Sequence, residues 1–370
     1  MTATGRGQVL SLRQLNRTTL ARQLLLERAA LPPAAAVERL VGMQAQLARP
    51  PYVGLWSRLS DFSREDLAQA IEARQIIKAT FVRGTLHLLT TEDYLKFRTT
   101  LQPVLTSALE GILKARGASV DVPRLVDAAR EFMRVQPRSF AEITTLLTSL
   151  VPDGDRGAMR YAVRTHLPMV QVPIPKAWSY PGNPRFTLAE DWLGTPPPTH
   201  DHQADLVKRY LAAFGPATVA DMQAWSYLTK LQPGFQGLRS DLACYRDERG
   251  RELFDLPDAA LEADDRPAPV RFLPEFDNLL LAHQDRTRVI PKVFRSHVYL
   301  PGLRVAATVL VDGFVAATWT TERARQEATL AIVPFEQLAG AVRTAVIEEG
   351  VRLMRFVEPD AKTISVRIVN

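Results

Sequence analysis

Ile76-Ile77-Lys78-Ala79-Thr80-Phe81-Val82-Arg83-Gly84-Thr85-Leu86-His87-Leu88-Leu89 anchors the architecture of the N-terminal part of the chain. Two apolar runs containing β-branched residues flank Arg83-Gly84, a natural turn, so the segment reads strand, turn, strand. What precedes it is helical. Periodicity begins near Thr18-Thr19, a candidate N-cap, with Leu20, Leu24, Leu25 and Leu26 on the apolar face. Pro32-Pro33 breaks that run and opens a second helix, expected from Ala34 to about Gln44. A third follows Pro50-Pro51, with Val53, Leu55, Trp56 and Leu59 apolar, and Ser63-Arg64-Glu65-Asp66 caps a fourth that carries Leu67 and Ile71. Short helices followed by a β-hairpin is the order of a winged helix.

The pattern recurs downstream. A long helix from Thr91 to about Lys114 leads to a capped helix at Ser139-Phe140-Ala141-Glu142-Ile143, another from Asp155 to His166, and short strands near Val170 and at Arg185–Leu188. Roughly 80 residues after the Ser139 cap, Thr218-Val219-Ala220-Asp221-Met222 opens an equivalent helix with Trp225 and Leu228 on its apolar face, and a hairpin follows at Leu242–Arg246 and Glu252–Asp255. Thr195–His200, with Pro196-Pro197-Pro198, is a linker. From Pro267 the texture turns β-rich. Strands are expected at Arg304–Val311 and Val315–Trp319 around the turn Asp312-Gly313, at Thr329–Val333 and at Thr363–Val369, with a helix over Pro334–Gly350.

Bulk properties narrow the function. The 370 residues, 46% of them hydrophobic, suffice for two or more domains. A formal charge of +6 leans toward polyanionic partners without identifying one. Cys244 is the single cysteine, which excludes an intramolecular disulfide and a Cys-rich zinc site. His200-Asp201-His202 lies in the Pro-rich linker and His87 has no ligand spacing, so no metal is expected. There is no Gly-x-Ser-x-Gly elbow and no Gly-x-x-x-x-Gly-Lys-Ser/Thr loop, so neither a serine hydrolase nor a nucleotide-driven enzyme is indicated, and no cofactor is expected. Met1 to Gln14 lacks the apolar core of a signal peptide, and no apolar run reaches the roughly 18 residues of a membrane span. The expectation is a cytoplasmic monomer away from membranes. Residues 1–10, polar and Gly-containing, are expected to be loose.

Gln44-Ala45-Gln46 is the candidate for chemistry. Amides are poor acids, bases and nucleophiles, so a site built on them orients water and stabilises charge on a substrate that is already reactive. On a regular helix residues two apart point about 200° from each other, so the pair shares a site only if the helix ends there; Gly42 and Pro50-Pro51 permit that. The bland alternative is a pair of solvated amides. Four separated segments bear on the choice: Gly42–Gln46, Phe81–Leu88, Leu273–Leu280 continuing into His283–Arg288, and Val311–Trp319. Together they resemble the winged-helix DNA glycosylase family that contains AlkZ and YcaQ. The resemblance implies an α+β fold of three tandem winged-helix units arranged around a cleft and followed by a C-terminal β-barrel-like domain. Mapped on this chain, the units are expected at 1–118, 119–194 and 195–266, with the β-rich domain at 267–370. Gln-x-Gln marks the AlkZ-like branch, whereas the YcaQ-like branch has Gln-x-Asp. The resemblance therefore implies catalysis on Gln44 and Gln46, by water attack on N7-alkylguanine and unhooking of interstrand crosslinks in double-stranded DNA, without lyase activity. Azinomycin, the crosslinker associated with AlkZ self-resistance, is implied only by that likeness.

Basic residues supply the candidate DNA contacts. Arg83, in the first hairpin, reads either as a wing residue near phosphate or as part of a tight turn. Arg286, Arg288, Lys292, Arg295 and Arg304 cluster, with Phe294, His297 and Tyr299 interleaved; an exposed basic hairpin with aromatic wedges is one reading and a solvated basic face the other. Asp277, in an apolar stretch, reads as a hydrogen-bonded structural acid, and Trp178, Trp192 and Trp225 as packing residues. Winged helices alone would equally suit a non-catalytic DNA-binding regulator or repair accessory protein.

Overall fold

The computed structural model describes residues 7–176 and 178–369. The start of the segment expected to be loose, residues 1–6, lies outside them; its end does not match the expectation, because Val9–Leu10 is a strand that pairs in parallel with Ala243–Asp247. The first helix runs Leu12–Arg22 and is capped by Ser11, whose hydroxyl accepts from the Gln14 N–H. Thr18 and Thr19, expected at its cap, lie inside it and are buried. The periodicity misled because this helix buries polar side chains. Asn16 donates to the carbonyls of Arg288 and Gly313, and Arg22 forms a two-pronged pair with Asp255.

The second helix is shorter than expected, Pro33–Arg39. Val41 (φ 54°) and Gly42 (φ 83°) take left-handed conformations that reverse the chain into the two-residue strand Met43–Gln44. A side chain at Gly42 would also meet the Leu88 carbonyl at 3.1 Å, so glycine is required twice over. The Pro50–Trp56 and Arg64–Glu72 helices are where the prolines and the Ser63 capping box put them. The long helix expected from Thr91 is instead two, Thr91–Phe97 and Gln102–Arg116. Pro103 lies in the first turn of the second, where the missing N–H costs nothing.

Ile76–Thr80 and Leu86–Thr90 form the antiparallel hairpin read from the sequence, joined by a tight turn at Val82–Gly84. They sit inside a six-stranded sheet ordered Met43–Gln44, Leu86–Thr90, Ile76–Thr80, Met169–Gln171, Arg185–Leu188, Arg138–Ser139. One rung, Ala79 to Val170, joins the first hairpin to the strand Met169–Gln171. The capped helices Phe140–Leu150 and Arg156–His166 pack with Val122–Val135 around Leu125, Met133, Leu147 and Met159. Downstream come the helix Gln203–Phe214, the capped helix Val219–Ser226 and the hairpin Ala243–Asp247 with Glu252–Asp255.

The C-terminal region carries a five-stranded sheet ordered Arg271–Leu273, Thr308–Val311, Phe314–Ala324, Glu327–Pro334, Thr363–Ile368. Its last two strands are parallel, and the helix Gly340–Val357 makes the crossover that such a pair requires. That helix begins six residues later than the apolar stripe suggested and runs on to Val357, burying Val346, Leu353 and Met354 against Phe272, Leu330 and Ile332. Among the described residues no helix is long and apolar enough to cross a membrane.

Candidate active site

Ending the helix at Arg39 changes the geometry of the glutamine pair. Met43 and Gln44 lie opposite Leu88 and His87 on the edge of the six-stranded sheet. Ala45 N–H continues the ladder to the Leu86 carbonyl at 2.7 Å, and the chain then bends at Gln46. There the side chain takes over from the backbone. Gln46 Oε1 accepts from the Leu86 N–H at 3.2 Å. Gln46 is exposed and borders a cavity of about 280 Å³, whereas Gln44 is buried and faces a separate narrow crevice with Arg58 and Asp277. The two glutamines are thus fixed at neighbouring rungs of one strand, in different surroundings.

Arg83 belongs with Gln44. Its guanidinium donates to Gln44 Oε1 at 2.8 Å and to the Trp225 carbonyl at 2.6 Å. The phosphate contact considered for Arg83 is therefore replaced by an internal one: a left-handed backbone at φ 58° turns the residue into the protein. Both glutamine orientations follow from their partners, since a guanidinium and a backbone N–H can only donate. Each amide oxygen keeps a second lone pair. Burial lowers Arg83 to about 10, with Tyr227 pulling it back up and Arg286 adding a further downward push. His87, opposite Gln44, is held at about 3 by burial and by Arg83, and its ring bonds the Thr85 carbonyl through Nδ1. Its Nε2 is buried without a partner. With neutral amides, a neutral imidazole and a charged guanidinium, nothing here titrates near neutrality. Single-turnover activity at this site should be flat from about pH 5 to about pH 9, as no general acid or base of intermediate pKa is present. A limb near pH 6.5 in the rate profile would show that an imidazole takes part.

A second layer supports the reversal that delivers Gln44. Asn278 donates its amide to the carbonyls of Gly42 and Leu40. Beside it, Asp277 makes two 2.8 Å bonds to Arg58 with both side chains buried, and also accepts from the Leu279 N–H. Asp277 is accordingly a structural carboxylate. Sequence reading did not single out Arg58 or Asn278; an arginine just past the end of an apolar helix and an Asn following the Asp were the available signals.

The basic cluster divides. Lys292, Arg295 and His297 are exposed, and Arg286 lies half-buried over the Tyr299 ring at 4.2 Å. Arg288 is not with them. It is buried, bonds Thr19 Oγ1 and the Phe214 carbonyl, and faces Asp221, so it holds the interior together and is not free to meet DNA. The expected basic hairpin is in fact two tight turns and a four-residue helix before the short strands Tyr299–Leu300 and Arg304–Val305. Its rings are not free wedges either, since Phe294 and His297 both stack on Phe335. Asp201 and His202 of the linker bond Thr100, and among the described residues no group of His, Cys, Asp and Glu is placed to hold a metal.

Comparison with known proteins agrees with this architecture. The chain is similar to a solved structure described as the Streptomyces sahachiroi DNA glycosylase AlkZ, with a TM-score of 0.80 over 98% of this chain and 100% of that one at 24% identity. It is 27% identical over 367 residues to an interstrand DNA cross-link repair glycosylase of Streptomyces sahachiroi, covering 93% of this chain and 96% of the relative. The family model described as DNA glycosylase AlkZ-like matches residues 37–356, which include Gln44, Gln46, Arg83 and the Leu273–Arg288 segment. The chain therefore belongs to the AlkZ-like DNA glycosylase family, enzymes that hydrolyse N-glycosidic bonds.

Proposed function

We propose that this enzyme excises N7-alkylguanine from double-stranded DNA and unhooks interstrand crosslinks made through guanine N7, as a monofunctional glycosylase. The observation that carries this reading is the exposed Gln46 amide, whose oxygen is fixed by the Leu86 N–H at the mouth of a cavity. Alkylation at N7 makes the base cationic and the glycosidic bond weak, and the base departs neutral, so no general acid is needed. What remains is to hold a water and to stabilise an oxocarbenium-like sugar. The free lone pair of Gln46 Oε1 accepts from the attacking water, and the amide dipole faces the developing positive charge. Gln44 acts as a positioning residue. Its oxygen is tied to Arg83, and its strand fixes the bend that presents Gln46. The name of the crosslink-repair relative supports extending the substrate to interstrand lesions. Three winged-helix units at 1–118, 119–194 and 195–266, with a β-rich unit at 267–370, are the framework we assign to the DNA-binding cleft.

The test uses labelled duplexes, one with a single N7-methylguanine and one with an N7-guanine interstrand crosslink. Alkali-labile sites from both are the expected result. Tight binding without abasic sites on either would overturn the enzymatic reading in favour of a DNA-binding regulator.

Arg83→Met should lower the excision rate at saturating enzyme by about tenfold or more, because Gln44 loses the donor that orients it. The apparent DNA affinity should change by less than about threefold, since the guanidinium points inward. A loss confined to affinity would return Arg83 to the role of a phosphate contact. For Lys292 and Arg295, which we assign to phosphate contacts together with Arg286 and His297, the signature is different. Each alanine variant should reduce the slope of log affinity against log salt by about one. An unchanged slope removes that residue from the interface.

A further inference from the structure

Tyr227 combines an exposed aromatic ring with a strained backbone. It ends the helix Val219–Ser226 at φ 67° and ψ 6°, a left-handed position that glycine or asparagine usually fills, and it is 59% exposed. The excision step gives this ring no task. It borders a cleft of about 860 Å³ that runs between its own helix and Gln102–Arg116. Two residues tie the cleft to the reacting site. Tyr161 lines both the cleft and the cavity beside Gln46. Arg83 also lines the cleft, and its guanidinium spans from the Trp225 carbonyl, two residues before Tyr227, to Gln44 Oε1.

The lining selects a neutral occupant. Arg83 and Asp201 are its two charged side chains. The first is committed as described, and Asp201 Oδ1 accepts from Thr100 Oγ1 and the Gln203 N–H. One guanidinium against one carboxylate leaves no net charge to hold an ion of either sign. What stays available is neutral hydrogen bonding beside a ring. Gln223 Oε1 accepts from the Leu231 N–H at 3.1 Å, while its amide N–H groups and the hydroxyls of Ser107 and Tyr227 have no partner among the described residues. A planar, uncharged group with a donor–acceptor edge matches that set, and in DNA such a group is a nucleobase. Presenting a guanine to Gln46 breaks its pair and leaves the facing base unsatisfied. We propose that this cleft seats the base opposite the lesion, stacked on Tyr227 with its pairing edge toward Gln223. Tyr227 is then a binding residue for the second strand, and the Arg83 clamp carries its placement to Gln44. The inference rests on Gln46 being the amide that receives the lesion.

The test pairs a protein change with a DNA change. Three duplexes carry N7-methylguanine: one faces it with cytosine, one with a tetrahydrofuran abasic analogue, and one keeps the cytosine but has the analogue in place of the base 5′ to the lesion. Tyr227→Gly removes the ring and suits φ 67°, so the variant should fold. Single-turnover assays over a range of enzyme concentrations should show its half-saturating concentration raised about tenfold where cytosine faces the lesion. The loss should shrink to less than about twofold opposite the abasic analogue and persist with the analogue 5′ to the lesion. Tyr227→Phe, which keeps the ring, should lose less than about threefold. A loss that is equal opposite cytosine and opposite the analogue overturns the proposal and leaves the glycosylase reading intact. So does a loss cancelled only by the 5′ analogue, which would make a flanking base the occupant. Binding is measured in parallel on the same duplexes with a fluorine at C2′ of the lesion, which withdraws electrons from the sugar and keeps the base attached. If no duplex is excised but Tyr227→Gly weakens binding about tenfold only where cytosine faces the lesion, the glycosylase reading fails while the seat for the opposite base stands.

Discussion

Gln46→Ala is expected to lower single-turnover excision by about 10²- to 10³-fold, the range found when one oriented dipole is removed from a reaction centre. The loss should be legible as chemistry. Gln46 is exposed, and the backbone N–H it serves is that of Leu86 on a solvent-facing rung, so water replaces the amide at little cost. Thermal stability should move by less than about 1 kcal/mol, as for other exposed substitutions. DNA affinity should remain within about threefold, because base-flanking amides contribute less to duplex binding than phosphate contacts do. Stopped quench assays with enzyme in excess measure the chemical step directly. A variant that binds weakly but excises at the wild-type rate would mean that Gln46 grips DNA and leaves the reaction to another group.

Asp277→Ala is expected to cost about 3–5 kcal/mol, the range for removing one partner of a buried ion pair. Arg58 would be left fully buried with two donors unanswered, and the Leu279 N–H would lose its acceptor. Urea denaturation measures this, and the double variant Arg58→Met with Asp277→Ala should recover part of the loss because it removes the stranded charge. If Asp277→Ala is nearly neutral, the pair is solvated and the support of the glutamine strand lies elsewhere. The same pair bears on function. Asp277 sits next to Asn278, which holds the Gly42 carbonyl, so a destabilised variant that still folds should also excise more slowly.

The elements that local chemistry dictates were legible in the sequence. Ser63, Ser139 and Thr218, each followed three residues later by an acid, open helices as capping boxes. The Arg83-Gly84 hairpin and the Asp312-Gly313 turn are also where the residues put them. What failed depended on tertiary partners. The Leu12–Arg22 helix hides Asn16, Arg17 and Arg22 inside, so its apolar stripe did not report its burial. Arg288 looks like its exposed neighbours in one dimension, yet Asp221 and the Phe214 carbonyl draw it inward. For the glutamines, the residues showed that the helix had to stop before Gln46 if both were to matter. They could not show that Gln44 would end on a strand under Arg83 while Gln46 stood at a bend, because the Leu86 and Arg83 partners lie about 40 residues away.

The single rung between Ala79 and Val170 has a consequence for the DNA. By joining the Ile76–Thr80 and Leu86–Thr90 hairpin to the strands Met169–Gln171 and Arg185–Leu188 in one continuous sheet, it makes the floor beneath Gln46 a shared plate. A sheet that moves as one body leaves the fit to the nucleic acid, which bends or unstacks to reach it. The sequence flanking a lesion, contacted or not, then enters the rate through its stiffness: the same adduct placed beside a pliant TA step should leave faster than one embedded in a rigid A-tract.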